Sequence, residues 1–131
     1  MRIHDGYLYF SSERVVYRQK LSPPELVPAE KPEVIVRDHH PLQWHNAKSL
    51  AFDNDGGMYM TFSSPTNVCE DWSTTTGTAV VFVQGLYPCP ELGHQAGMWR
   101  FEADRPGQSQ KDGKRFATGL RSVVGISWNE S

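Results

Sequence analysis

The sequence predicts an all-β chain assembled from repeated four-strand units. Two observations carry this reading. The strand signals are short, rich in aromatic and β-branched residues and bounded by turn residues, while no window sustains a 3.6-residue apolar period. The order of those strands also recurs along the chain.

The expected strands are Tyr7–Ser11, Arg14–Gln19, Glu33–Arg37, Ser49–Asp53, Met58–Ser63, Gly97–Glu102, Lys114–Thr118 and Val123–Trp128. Asp5-Gly6-Tyr7-Leu8-Tyr9 aligns with Asp55-Gly56-Gly57-Met58-Tyr59 at an offset of 50 residues, each a turn dipeptide opening an alternating strand that ends near Ser-Ser. Val16-Tyr17-Arg18 then parallels Met98-Trp99-Arg100, and Val34-Ile35-Val36 parallels Arg115-Phe116-Ala117. Ser49-Leu50-Ala51-Phe52-Asp53 parallels Gly125-Ile126-Ser127-Trp128-Asn129. Four strands per unit at this period is the pattern of propeller blades. The expected fold is therefore a β-propeller fragment. Residues 1–38 form a partial blade of three strands, 45–119 a complete blade with a long 65–95 insertion, and 120–131 the first strand of the next. A propeller buries its core by stacking blades, and Val123–Trp128 has three residues after it, so the chain reads as a piece of a longer protein.

Composition narrows the function classes. A net charge of −2 without a sustained basic run gives nucleic acid no electrostatic footprint. The longest apolar cluster, Ala79–Val83, is strand-sized and far short of the roughly 18–20 apolar residues of a membrane span. The N-terminus lacks the apolar region of a secretory signal, which fits either a cytoplasmic protein or a chain missing its true beginning. Cys69 and Cys89 flank a loop rich in Ser, Thr, Gly and Pro. They are either two free thiols or a disulfide pinning that loop; the disulfide would imply an oxidising compartment. Neither belongs to a Cys-x-x-Cys pair of the kind that binds metal.

Chemistry concentrates before the expected inner strands. His39, His40 and His45 crowd the start of the complete blade. They are a polar loop, a zinc site, or a loop in which His45 alone matters; no cysteine or carboxylate lies at the helical spacing zinc sites use. His45 stands four residues before Ser49, and a neutral imidazole there is a potential general base near neutral pH. Arg121 stands at the corresponding place before the next inner strand. Repeat geometry puts both around one channel mouth, where a planar cation beside a base suits an anionic, planar ligand.

His45-Asn46-Ala47-Lys48-Ser49-Leu50-Ala51-Phe52-Asp53-Asn54-Asp55-Gly56 resembles the H-x-x-x-x-L-x-F-x-x-D-G segment of quinone-dependent sugar and sorbosone dehydrogenases. Ser64-Pro65-Thr66-Asn67-Val68-Cys69-Glu70, Pro88-Cys89-Pro90-Glu91-Leu92, Ala96–Ala103 and Asp112–Arg121 resemble the sorbosone branch in the family's order. The resemblance implies a six-bladed propeller, a periplasmic or secreted location, pyrroloquinoline quinone as cofactor, and calcium bound by residues outside this chain. It implies His45 as the base removing a hydroxyl proton from a sugar or aldehyde substrate while hydride passes to the quinone, and Arg121 as a cofactor contact. It leaves the electron acceptor open. Two departures stand out: Ser122 follows Arg121 where relatives commonly have asparagine, and Trp44 precedes His45 where some have aspartate. A second reading is thus a family member without catalysis, acting as an extracellular binding or scaffold module. A generic propeller hydrolase or lactonase would need carboxylates and asparagines converging on calcium, which the inner-strand starts do not offer.

Overall fold

A computed structural model of the chain describes residues 1–40, 46–70 and 85–129. These residues are all-β, as the strand pattern predicts, with two short 3₁₀ turns at Pro90–Gly93 and Gln110–Asp112. β1 (Arg2–His4), β2 (Tyr7–Ser11), β3 (Val15–Lys20) and β4 (Glu33–Arg37) form one antiparallel meander. β5 (Leu50–Phe52), β6 (Gly57–Phe62), β7 (Gly97–Glu102) and β9 (Lys114–Thr118) form a second. β8 (Gln108–Ser109), between β7 and β9 in the chain, leaves its own sheet and pairs parallel with β4.

Local chemistry explains the meanders. Asp5 and Gly6 both take positive φ, 45° and 76°, as a two-residue hairpin turn of the right twist requires. The β5–β6 turn is organised by Asp53, whose carboxylate accepts the N–H groups of Asp55 and Gly57 at 3.0 and 2.6 Å. Gly57 has to be glycine, because a Cβ there would lie 2.3 Å from both Asp53 Oδ2 and Arg100 Nε. Each sheet carries a register shift between its third and fourth strands, and both fall at the same repeat position: Val16/Tyr17 in the first, Met98/Trp99 in the second. The repeat therefore extends to backbone irregularity.

The two sheets share one core. Tyr9, Val16, Ile35 and Val36 of the first meet Leu50, Met58, Met60, Phe62, Trp99 and Phe101 of the second, with Phe52 packed against them. Three polar contacts fix how the sheets sit. The Tyr9 hydroxyl donates to the Ala103 carbonyl at 3.0 Å in a buried position. The Gly107 N–H donates to the Val34 carbonyl at 2.9 Å. β8 covers the outer edge of β4, an edge that would otherwise expose unpaired backbone groups.

The structure departs from the expected strands in three places, the added β8 being one. The first sheet has a fourth strand, β1, so residues 1–38 hold a complete meander where three strands were expected. Three residues with a single apolar side chain carry no periodicity; β1 is a strand because Arg2, Ile3 and His4 pair with Tyr9, Leu8 and Tyr7. Val123–Trp128, expected as a strand, forms no ladder among the described residues. It lies on the second sheet through other contacts: Ser49 Oγ donates to the Val123 carbonyl at 2.8 Å, and the Trp128 ring stacks on Tyr59.

Tyr9→Phe keeps the ring and removes the donor, leaving the buried Ala103 carbonyl unpaired. The unfolding free energy of the chain should fall by about 1–3 kcal/mol in a urea titration. An unchanged midpoint would show that the contact between the sheets does not depend on this hydrogen bond.

Candidate functional site

β5 runs antiparallel to β6, so residues entering β5 meet those leaving β6. Hydroxyl side chains at that end of β6 gather two separate segments. The Ser49 N–H donates to Thr61 Oγ1 at 2.9 Å, and the Thr61 and Ser63 hydroxyls both reach the Ala47 carbonyl at 3.4 Å. The Ser64 N–H donates to the Arg121 carbonyl at 2.6 Å, while Ser49 Oγ holds Val123. Residues 46–49 and 121–123 thereby converge on one end of one strand. The Arg121 side chain is exposed, and among the described residues its guanidinium has no ion-pair partner. Ser122 is exposed beside it. His45 and Trp44 lie outside the described residues.

A cleft of about 270 Å³ opens here, with Arg2, Ser11, Lys48, Ser49, Val124 and Ile126 among its lining. A larger cleft, about 580 Å³, lies at the far end of the inner strands and includes His4, Phe52 and Asp53. Its Asp53 carboxylate is already committed to Arg100 at 2.8 Å and to the β5–β6 turn, so the smaller cleft, lined by Ala47–Ser49 and by Val124–Ile126, is the better candidate.

A buried ion pair, not anticipated from the sequence, underlies the site. Asp38 leaves the end of β4 and meets Lys48, which enters β5; their Oδ2 and Nζ atoms are 2.5 Å apart and both side chains are more than nine-tenths buried. Asp38 also accepts the His40 backbone N–H at 2.9 Å and lies 2.7 Å from His40 Nδ1, which fixes Nδ1 as the protonated ring nitrogen. The Lys48 ammonium lies 4.9 Å from the centre of the Phe62 ring. Burial works against the charged form of Asp38, but the hydrogen bond and charge of Lys48, with the two His40 contacts, outweigh it and hold the carboxyl below its ordinary range. No motif announces this pair. An acid after one strand and a lysine before the next resemble ordinary loop charges until the sheets stack.

Of the two readings of the cysteines, the structure has the disulfide, Cys69–Cys89, with Cα atoms 5.8 Å apart. The Glu91 carboxylate accepts the hydroxyls of Ser64 and Thr66. Both ends of the 65–95 insertion are thus tied down beside Ser64, whose N–H holds Arg121; residues 71–84 lie outside the described residues. The histidines form no metal cluster among the described residues. His39 is exposed and His40 is bound to Asp38, while the cluster with ligand atoms close together is Cys69, Cys89 and Glu91, whose sulfurs are in the disulfide.

No protein-family model matches the chain, and no curated protein matches it in sequence. In structure it is similar to the holo form of the pyranose dehydrogenase PQQ domain from Coprinopsis cinerea, with a TM-score of 0.64 and 15% identity over 92% of this chain. With two stacked four-stranded meanders already described, that likeness decides the fold. The chain is a β-propeller fragment. It spans 27% of the length of the Coprinopsis domain.

Asp38→Asn leaves Lys48 buried without its counter-charge and should destabilise the chain by about 3–5 kcal/mol, whereas replacing both residues with apolar side chains should cost far less. Because the folded Asp38 carboxyl is held low, its contribution is present above the ordinary carboxylate range and is lost as pH falls through the folded value. Thermal melts from pH 7 downward should show an acid-side decline that Asp38→Asn makes shallower, the rest belonging to groups such as Asp53 whose carboxyl is also held low; an identical decline in the variant would refute the assignment. Replacing Cys69 and Cys89 with serine should remove about 3 kcal/mol by freeing the closed loop, measured by the same melts.

Proposed function

We propose that the chain is part of an oxidoreductase that oxidises a sugar or a sugar-derived alcohol or aldehyde by hydride transfer to pyrroloquinoline quinone, with His45 as general base and Arg121 as a cofactor contact. The observation that carries the reading is the convergence of residues 46–49, directly after His45, with Arg121–Val123 at one end of β6. The sequence resemblance selects these positions independently of that geometry. The Coprinopsis structure, a pyranose dehydrogenase PQQ domain, lends support at the level of fold.

The residues present fit part of such a cofactor's needs. An exposed guanidinium without an ion-pair partner among the described residues is suited to a planar carboxylate or quinone oxygen. Of the other cations here, Lys48 is bound to Asp38, while Arg2 lines the cleft and donates to the Ile126 carbonyl at 3.0 Å. The remaining cofactor contacts and the calcium ligands would belong to parts of the protein outside this chain. When bound, the quinone supplies the two-electron sink. The chain's own work is to hold an acceptor for the substrate's hydroxyl proton at the imidazole of His45 and a fixed positive charge at Arg121. In the sequence each directly precedes residues whose backbone is anchored at the end of β6. A disulfide of this kind also supports a periplasmic or secreted location.

A catalytically inactive binding or scaffold propeller is the alternative, favoured by Ser122 and by the engagement of Lys48 with Asp38. The two separate in the whole propeller reconstituted with the quinone and calcium and assayed for dye-linked oxidation of sugars and aldehydes. The oxidoreductase reading expects turnover that His45→Ala lowers by at least about 100-fold while cofactor binding persists. It also expects weaker cofactor binding in Arg121→Ala. Full activity in His45→Ala would eliminate the base assignment, and cofactor-independent behaviour of the wild type would leave the scaffold reading standing.

A further inference from the structure

The base of the 65–95 insertion carries a group that the disulfide leaves unexplained. Glu91 lies in the 3₁₀ turn Pro90–Gly93, two residues after Cys89, and its carboxylate accepts the hydroxyls of Ser64 and Thr66, one on each oxygen. A carboxylate oxygen of Glu91 and the sulfurs of Cys69 and Cys89 all lie within 4.8 Å of one another. Among the described residues no cation pairs with Glu91. The disulfide offers it neither a charge nor a hydrogen to accept. All three side chains stand on anchored backbone. The Glu70 N–H donates to Thr66 Oγ1 at 3.0 Å, the Leu86 N–H to the Cys69 carbonyl at 2.9 Å, and the Gln95 N–H to the Glu91 carbonyl at 2.8 Å. Cys89 and Glu91 are partly exposed, so the cluster is open to an ion from solvent.

We propose that the reduced chain binds one zinc-class divalent ion through Cys69 Sγ, Cys89 Sγ and a carboxylate oxygen of Glu91, so that disulfide and metal are alternative pins for the same insertion. A dithiol reductant supplies two electrons and two protons. The S–S bond breaks, two thiols form, and the reductant closes a disulfide of its own. Metal binding then forms two sulfur–metal bonds and one oxygen–metal bond, and releases the two thiol protons. Tetrahedral zinc, with bonds of about 2.3 Å to sulfur and about 2.0–2.2 Å to oxygen, spaces these ligand atoms by roughly 3.6–3.8 Å. The cluster lies within reach of that spacing, and Cα atoms 5.8 Å apart let the freed sulfurs separate by side-chain rotation. Thiolate ligands select zinc over the calcium and magnesium that oxygen donors favour. Ser64 and Thr66 orient the ligating carboxylate, as the outer partners of metal ligands do. The fourth position falls to water. In the oxidised chain the sulfurs carry no negative charge, and the metal is excluded. None of this depends on the cofactor or reaction proposed above.

Cobalt(II) reports thiolate ligation through a near-ultraviolet charge-transfer band, and the chain has two cysteines, so the signal belongs to this pair. The 131-residue chain, reduced and kept free of oxygen, should develop the band with one equivalent of cobalt, and zinc should displace it. The oxidised chain should give no band. Glu91→Gln should weaken cobalt binding by at least about 10-fold. Zinc should also slow alkylation of both thiols in the reduced wild type, a readout that needs no variant, and raise the melting temperature of the reduced chain alone. A reduced chain without the band, unchanged affinity in Glu91→Gln, or undiminished alkylation would each overturn the proposal. So would an equal rise in melting temperature of the oxidised chain, because the ion would then sit on other groups.

Discussion

The central strand of the second sheet is buried on both faces, and the rest of the structure follows from that. In β6 every residue from Gly57 to Phe62 is buried. Met58, Met60 and Phe62 join the core shared with the first sheet, while Tyr59, on the opposite face, carries Phe116 and Trp128. A strand buried on both sides loses the alternation of a half-exposed one. A single meander of this composition would leave one full face in water, so the sheets must stack. Apolar contact alone would allow many relative placements. The Tyr9–Ala103 hydrogen bond, the Gly107–Val34 bond and the β8 ladder select one, because each requires a backbone group of one sheet at a particular place on the other.

Stacking in turn decides where the candidate site lies. The segments carrying His45 and Arg121 are both connections between units, and connections are ordinarily the least constrained parts of a fold. Here each is pinned at its entry to an inner strand by buried polar contacts. Asp38 and Lys48 tie the end of β4 to the start of β5, while Thr61 and Ser63 catch Ala47 and Ser64 catches Arg121. A buried ion pair is a poor source of net stability, since desolvating two charges offsets most of their attraction. Its worth at this position is that it fixes the end of β4 against the start of β5.

Much of this was legible in the sequence, and the exceptions share one cause. β2, β4, β7 and β9 fall where alternation and turn residues put them. The disulfide was one of two readings, with the pairing obvious because there are two cysteines. β1 and β8 were not legible: three and two residues hold no period, and both are strands only because a partner lies alongside. Val123–Trp128 has the pattern of a strand, yet no ladder, because the described residues offer it no strand to pair with. Asp38 and Lys48 were missed because a buried charge pair has no local signature; only the packing of the two sheets brings the two together. What escapes sequence reading here is information held in a partner, whether strand or counter-ion.

The repeat also indicates where function lies through the places at which it breaks. Positions that build the stack agree between the units: Tyr9 with Tyr59, Arg18 with Arg100, and the register shift at Val16/Tyr17 with that at Met98/Trp99. Packing demands this agreement, since both sheets solve the same problem. The units diverge at the end of β6. His45 of one inner-strand start corresponds to Arg121 of the next, Lys48 to Val124, and the 65–95 insertion with its disulfide has no counterpart in the first unit. A repeat that served structure alone would have no reason to gather the Arg121 segment and a disulfide-tied insertion at one end of one strand. Local differences among otherwise equivalent units are how a scaffold acquires a site, and the differences in this chain fall together around Ser64, Arg121 and the start of β5.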